Sequence, residues 1–517
     1  MKLKDLVFPL AFALMVTMAI NYFFFSGKKG NDVDGQVKSG QSFVAPKAKQ
    51  EIRPLNKEID FIDEKRLEAK VLTEVETDVG KFVFSNDGAS LERASFKVGA
   101  DDKVNWLNTV YPVADTQKEN KCFLLALNEK TPYYYKFLGK TDAPDAIELA
   151  YRYDSPASDV TVDKKFTIYK KTNKIDLFIE ITPKKELEEA IDARIFFPSP
   201  NMHELQKTDV VSAVVVDDRG SVKKIAKDKL EAHIGWFFPK LFGTDSKYFV
   251  HAMIDDANDF AQRAYYKIHD LKLLISILEG PQVKEKASWN VSFYFGPKEE
   301  QALANVDQRL EKTLEYSGWL APISKFLLMI LKFLYKYLKN YGLAIIVLTI
   351  FIRMLLFPFT IKAEAGMKKR LEFQKKLDYL QKKYKHDKAA LARERAELIK
   401  KHGMPGLGGC LPLLLQIPIF FALSSVLRSS IELHQASFLW IKDLSAKDPY
   451  YILPIGVSLT MLLQSLTVEP KQRFTMVIMA LILGPLFASF PAGLSLYIFF
   501  SILLGVLQTL VVKRFKS

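Results

Sequence analysis

The chain has 517 residues, 49% of them hydrophobic and 26% charged, with a formal net charge of +14. That length leaves room for a folded domain beside a membrane bundle, and the apolar residues do cluster in near-continuous runs at the start and in the last third. Two cysteines, Cys122 and Cys410, exclude a disulfide framework, and all seven histidines lie outside the apolar runs.

In chain order, the first run is Phe8 to Phe25, long enough to cross a hydrocarbon core of about 17 to 25 residues. A cleaved signal has a shorter apolar region and a small-residue site, whereas this run ends in Tyr22-Phe23-Phe24-Phe25, so residues 1–25 read as a retained anchor. Residues 26–54 are rich in Gly, Lys, Ser, Asp and Gln and read as a disordered linker. Residues 55–314 carry strand signals. Val160 to Ile168 and Ile175 to Ile181 alternate apolar and polar residues around a polar turn at Lys170 to Lys174; Asn86-Asp87-Gly88 marks a hairpin; and Trp289, Val291, Phe293 and Phe295 repeat with period two. The expectation is a large antiparallel β-sandwich on the outer side. It holds no nucleophile elbow, metal spacing or phosphate loop, which points to a scaffold or docking surface and leaves a sugar- or peptide-binding cleft open.

Residues 315–340 predict an amphipathic helix lying in the membrane interface: Leu320, Ile323, Leu327, Ile330, Leu331, Leu334 and Leu338 recur at helical spacing, with Lys325, Lys332, Lys336 and Lys339 on another face. Five further spans follow within residues 341–512, namely Tyr341 to Ile361, Leu407 to Leu427, Tyr450 to Leu466, Phe474 to Phe490 and Pro491 to Val512, punctuated by Gly403-Met404-Pro405-Gly406 and Phe490-Pro491-Ala492-Gly493. Between the first two, residues 362–403 predict a helical hairpin with a narrow apolar seam at Phe373, Leu377, Leu380, Tyr384, Leu391, Leu398 and Ile399. Short loops rich in Lys and Arg face the cytoplasm. Residues 362–402 hold 14 basic and 6 acidic residues, the tail 513–517 adds Lys513, Arg514 and Lys516, and the start has Lys2 and Lys4 against Asp5. Six transmembrane helices with both ends inside result. Nearly all of the net charge sits in these segments, so DNA is not the implied partner; ribosomal RNA and anionic lipid are the contacts such charge fits.

Arg353 is the one charged residue inside any of the six runs. It lies about 18 Å along its helix from Tyr341, past mid-bilayer. Such a cation costs at least about 2.5 to 3.5 kcal/mol facing lipid, so it should face protein or water, and no Asp or Glu lies in any run to pair with it. Thr349 stands one turn before it, and Gln416, Gln464, Ser501 and Gln508 on other spans are candidates to line the same cavity. Gln416 stands out because Pro418 frees backbone carbonyls beside it. Without intramembrane His or paired Asp, the intramembrane protease classes are disfavoured. A transporter for an anionic solute stays open, although no convincing internal repeat is present.

Four motifs in order, Asn340-Tyr341-Gly342-Leu343-Ala344-Ile345-Ile346, Leu407-Gly408-Gly409-Cys410-Leu411-Pro412 through Phe420, Asp448-Pro449-Tyr450-Tyr451-Ile452-Leu453-Pro454 and Phe490-Pro491-Ala492-Gly493-Leu494, resemble the YidC/Oxa/Albino family of membrane-protein insertases from about Gly318 to Arg514. The anchor and large insert resemble its Gram-negative form, which implies a five-helix insertase core with a periplasmic β-sandwich in the inner membrane. The resemblance further implies a non-enzymatic function without cofactor: insertion, folding and assembly of nascent membrane proteins, alone or with the Sec translocon. Its substrate-binding groove is a hydrated one, open to cytoplasm and lipid, lined by Arg353, Thr349, Gln416, Gln508 and Ser501. The implied partners include the ribosome, through the hairpin and tail, and membrane lipids.

Overall fold

A computed structural model describes residues 59–62, 64–66, 68–98, 105–127, 130–201, 211–216, 222–230, 235–269, 273–314, 320–385, 387–402, 411–467 and 470–516. The expected anchor, the linker, the Gly403-Met404-Pro405-Gly406 break and the opening of the Leu407 motif lie outside the described residues. The chain divides into a strand-rich unit ending at Leu314 and a helical unit beyond it.

Among the described residues the strand-rich unit holds three antiparallel sheets. A four-stranded meander runs β1 (Leu72–Glu76), β2 (Gly80–Ser85), β3 (Ser90–Val98) and β4 (Asn105–Val110). A five-stranded sheet comprises β5 (Leu124–Leu127), β10 (Ile191–Pro198), β13 (Gly235–Phe237), β16 (Arg263–His269) and β17 (Leu273–Val283). A nine-stranded sheet comprises β6 (Lys136–Asp142), β7 (Ala146–Asp154), β8 (Val160–Tyr169), β9 (Lys174–Pro183), β11 (Ser212–Val216), β12 (Val222–Ala226), β14 (Leu241–Asp245), β15 (Phe249–Asp256) and β18 (Ala287–Pro297). The expected alternation decides the pairing: β8 and β9 form the hairpin around residues 170–173, with Val162 opposite Ile181 and Phe166 opposite Leu177. Phe197 of the five-stranded sheet meets Phe293 of the nine-stranded sheet at 5.4 Å, and Phe84 of the meander meets Phe166 at 4.8 Å, so aromatic side chains fill the space between layers. This is the expected β-sandwich.

One buried position on β8 departs from the apolar pattern. Lys164 is 1% exposed and points inward between Val162 and Phe166. Its ammonium donates to the carbonyls of Gly88 (3.0 Å), Ala89 (2.6 Å) and Phe123 (2.6 Å). Those three residues have positive φ, of 70°, 41° and 66°, which turns their carbonyls out of any ladder, and the lysine supplies the donors the turn lacks. Burial pushes the Lys164 ammonium down to about 7 and the Cys122 thiol beside it upward. The Asn86-Asp87-Gly88 signal does join β2 to β3, and Asp87 is held by Arg66 at 2.5 Å.

A single-turn helix α1 (Glu300–Ala304) precedes the helical unit. The latter comprises α2 (Ala321–Leu338), α3 (Tyr341–Lys383), α4 (Lys388–His402), α5 (Leu411–Ser429), α6 (Ile452–Thr467), α7 (Pro470–Phe487) and α8 (Ala492–Lys516). Among the described residues two stretches, Tyr341–Pro358 and Ala492–Val511, are long and apolar enough to cross a membrane, and Ile452–Leu466 and Met476–Phe487 form shorter apolar helices. No backbone break separates the span expected at Tyr341 to Ile361 from the hairpin expected after it: α3 runs unbroken for 43 residues through Pro358. α3 ends at Lys383, and the Asp387 carboxylate accepts from Ala389 N and Ala390 N to start α4. On α2 the packed stripe also differs from the expected one. Ser324, Leu327, Leu328 and Leu331 are buried, while Phe326, Met329, Phe333 and Tyr337 form an exposed apolar ridge. A helix apolar on two sides has no single stripe for the sequence pattern to find.

Candidate functional site

Arg353 is half-buried on α3, where it faces α8. Its Nε and Nη2 both donate to the Ser501 hydroxyl, at 3.1 and 2.9 Å. Among the described residues no carboxylate pairs with it, so a neutral oxygen takes two of its five N–H groups and the charge stays uncompensated. The guanidinium lies against Gly505, where an added methyl would stand 3.2 Å from Nη1. One turn before Ser501 the hydroxyl of Tyr497, 1% exposed, accepts from Gln416 Nε2 on α5. Polar side chains thus tie α3, α5 and α8 together, and α8 carries them on one stripe: Tyr497, Ser501, Gly505 and Gln508.

The structure sorts the expected residues. Arg353 and Ser501 meet directly, and Gln416 joins them through Tyr497. Gln508 is half-buried two turns beyond Ser501, with its Oε1 buried and unbonded among the described residues. Thr349 is fully buried, and its hydroxyl donates at 2.7 Å to the Ile345 carbonyl within its own helix, so it offers the cavity no free donor. Gln464 is half-buried on α6. Sequence reasoning missed Tyr497 and Gly505. The helical spacing of 497, 501, 505 and 508 was the available signal for both.

One end of the helical unit is closed, and three of the four motifs meet there. Asn340 caps α3 by accepting from Leu343 N and donates to the Ser437 carbonyl. The Phe438 ring packs on Gly342 so closely that any Cβ there would overlap it. Asp448 accepts from Tyr450 N (3.1 Å), Leu453 N (2.7 Å) and Trp440 Nε1 (3.2 Å), capping α6. Ala492 N and Gly493 N donate to the carbonyls of Ala446 and Leu444. Leu433, Ile441 and Leu444 are buried beneath this segment, and Phe420, Phe487 and Phe490 stack beside it. Elsewhere the helices turn apolar residues outward, Met354 (70% exposed) and Leu355 on α3, and Ile455, Leu459 and Leu466 on α6, as a lipid-facing surface does.

The buried titratable groups of the strand-rich unit are spent on structure. His251 Nδ1 donates to the Pro198 carbonyl and Nε2 accepts from the Thr109 hydroxyl. Lys298 pairs with Asp245 at 3.0 Å. No cluster of three or more metal-ligating side chains occurs among the described residues.

Comparison with known proteins gives two family models: "60Kd inner membrane protein" matches residues 333–517 and "YidC periplasmic domain" matches residues 72–330. The chain is similar to the membrane protein insertase YidC of Geotalea daltonii, 38% identical over 52% of each chain, so it spans about half the length of that relative. It is 34% identical to the YidC of Syntrophus aciditrophicus over 69% of this chain and 67% of that one, and 32% identical to that of Geobacter metallireducens over 71% and 70%. A crystal structure of an active YidC insertase with its first transmembrane domain resolved covers 87% of this chain and 94% of that one at 18% identity and a TM-score of 0.35. A galactose mutarotase-like protein from Lactobacillus casei covers 44% of this chain and 100% of that one at 8% identity and a TM-score of 0.28. At such scores neither structure bears on the site. The sequence relatives and the two matched models do bear on descent, and the chain belongs to the YidC family of inner-membrane proteins.

Proposed function

We propose that this protein is a membrane-protein insertase and chaperone, with no chemical active site, that passes nascent membrane proteins along a groove lined by Arg353, Ser501, Gln416 and Gln508. The observation that carries this reading is Arg353 itself, held by a neutral hydroxyl with no carboxylate partner among the described residues. A cation in surroundings of low polarity attracts a carboxylate more strongly than it does in water. Its present partner is a neutral serine hydroxyl, so capture of a client carboxylate needs no ion pair to break and release can leave the serine contact in place. The closed end described above fits a groove that opens on the opposite side and into lipid.

In this reading six helices cross the inner membrane, residues 1–25 anchor the chain, residues 26–54 link the anchor to a periplasmic domain over 55–314, and both termini are cytoplasmic. Residues 315–340 lie in the interface, with the ridge of Phe326, Met329, Phe333 and Tyr337 turned to lipid. The hairpin 362–403 and the tail 513–517 face the cytoplasm, where their basic charge suits the ribosome and anionic lipid; the Sec translocon is the expected companion for larger clients. Thr349 is then a packing residue beside Arg353.

The test is the purified protein alone in liposomes, with protease-protected insertion of a small membrane protein bearing an acidic translocated tail. Wild type is expected to insert it, Arg353→Lys to insert it more slowly, and Arg353→Ala to fail. Equal insertion by all three removes the charge from the mechanism, and no insertion by wild type in an assay verified with an active insertase refutes autonomous insertion.

A further inference from the structure

The geometry points to a seat on α8, made by Ser501 and Gly505, that fixes which edge of Arg353 a client meets, with Gly505 as the positioning residue. Ser501 Oγ engages Nε and Nη2, which is one side edge of the guanidinium. One turn further on, the three atoms nearest to a methyl added at Gly505 are all Arg353's: Nη1 at 3.2 Å, Nη2 at 3.4 Å and Cζ at 3.5 Å. The methyl position is nearly equidistant from the three atoms, so the flat face of the guanidinium rests over helix backbone at a position without a side chain and the edge between Nη1 and Nη2 stays uncovered there.

Nothing in the backbone calls for glycine there. Gly505 lies inside the 25-residue α8, and its φ is outside the positive range that favours glycine. Glycine in a helix interior is less stable than alanine. What the missing side chain provides is room for the guanidinium, held in place by the hydroxyl one turn away. With one side edge occupied, the edge between Nη1 and Nη2 keeps N–H groups that no described residue takes, and this edge matches a carboxylate bidentately. The ligand class is thus an aspartate or glutamate side chain of the passing segment, received end-on. A lysine at 353 supplies charge without that edge.

This inference rests on the insertase reading, so its test needs one readout that does not. The full-length protein in liposomes is treated with phenylglyoxal, and modification of Arg353 is followed by peptide mass spectrometry, with thermal midpoints checking the fold of each variant. Ser501→Ala and Gly505→Val are expected to raise the modification rate by about tenfold, the scale of a lost hydrogen bond to a charged group, and Gly505→Ala by less. In the insertion assay, Gly505→Val should lower the ratio of acidic-tail to neutral-tail client inserted, and that effect should vanish in an Arg353→Ala background and shrink in Arg353→Lys. Unchanged modification of Arg353 in Ser501→Ala and in both Gly505 variants overturns the seat, whatever insertion does. A Gly505→Val defect of equal size without Arg353 overturns it as well, because the glycine would then serve helix packing alone. Failure of wild type to insert either client removes the insertase reading, while the modification rates still decide the seat.

Discussion

Replacing Asp448 by alanine should open the closed end of the helical unit without unfolding the rest. Asp448 is 3% exposed, and its carboxylate accepts from Leu453 N at 2.7 Å, Tyr450 N at 3.1 Å and Trp440 Nε1 at 3.2 Å. Alanine removes all three acceptor contacts. Loss of an N-cap alone costs about 1 kcal/mol, and each hydrogen bond to a charged group contributes about 1.5 to 3 kcal/mol, part of which water recovers once the segment opens. A net loss of about 3 kcal/mol is the reasonable sum, and it multiplies the open population by roughly 100. Hydrogen exchange by mass spectrometry on the protein in liposomes reads this directly: amides of residues 431–448 should lose about two decades of protection, while β8, β9 and β18 keep theirs. Asp448→Asn, which retains an acceptor oxygen, should lose about one decade. Unchanged protection at 431–448, or a loss spread evenly over all helices, refutes the assignment of Asp448 as the fastening of that end.

Acid should weaken the strand-rich unit through His251. Burial pushes its imidazole from 6.5 down to about 3, while an unfolded histidine still protonates at 6.5, so its contribution is complete above pH 6.5 and is lost as pH falls toward 3. Between pH 6.5 and 4.5 that is about 2 kcal/mol; tryptophan-monitored urea unfolding should show the slope for wild type and a flatter one for His251→Leu, and equal slopes would sink the idea. Gly243→Ala places a Cβ 2.2 Å from the His251 carbonyl and 2.4 Å from Ala252 Cα, a collision of backbones between β14 and β15, so folded yield by size-exclusion chromatography should collapse; a normal yield contradicts the tight pairing there. Phe333→Glu on the exposed ridge of α2 should leave the helix packed through Leu327, Leu328 and Leu331 but raise its hydrogen exchange in liposomes and not in detergent-free solvent-exposed peptides of the strand-rich unit; no change would place that ridge outside lipid.

The sandwich was legible because its signal is local. Val160, Val162, Phe166 and Ile168 alternate on β8, the turn residues mark both hairpins, and pairing follows. Lys164 was not legible, since a lysine at an inward position reads as a break in the pattern until the three carbonyls of Gly88, Ala89 and Phe123, distant in sequence, are seen to need it. Arg353 was legible for the opposite reason: a single charge in an apolar run stands out, and the partners on α8 were narrowed to Ser501 and Gln508 by polarity alone. Polarity could not find Gly505, which contributes by having no side chain, nor Tyr497, which reads as one more aromatic beside Phe499 and Phe500. Nor does polarity reveal that the Thr349 hydroxyl bonds within its own helix, where a backbone carbonyl is in reach. The backbone itself carries no mark where the span expected at Tyr341 to Ile361 ends, as α3 changes from apolar to charged without a break.

The distribution of the motifs follows from the same physics. Three of them lie at the closed end because that end has to satisfy irregular backbone: the segment 430–450 has few ladder partners, so Asn340, Asp448 and the amides of Ala492 and Gly493 supply bonds that a helix makes for itself. Each of these roles needs one residue type at one place, which is what makes a motif. The Arg353 site needs less. A hydroxyl and a gap on α8 meet the cation, and an amide on α5 joins a phenol one turn away, without any contiguous signature. In this chain the recognisable motifs therefore mark where the fold is fastened, and the residues proposed to handle clients are spread singly along helices whose sequences otherwise answer only to lipid and packing.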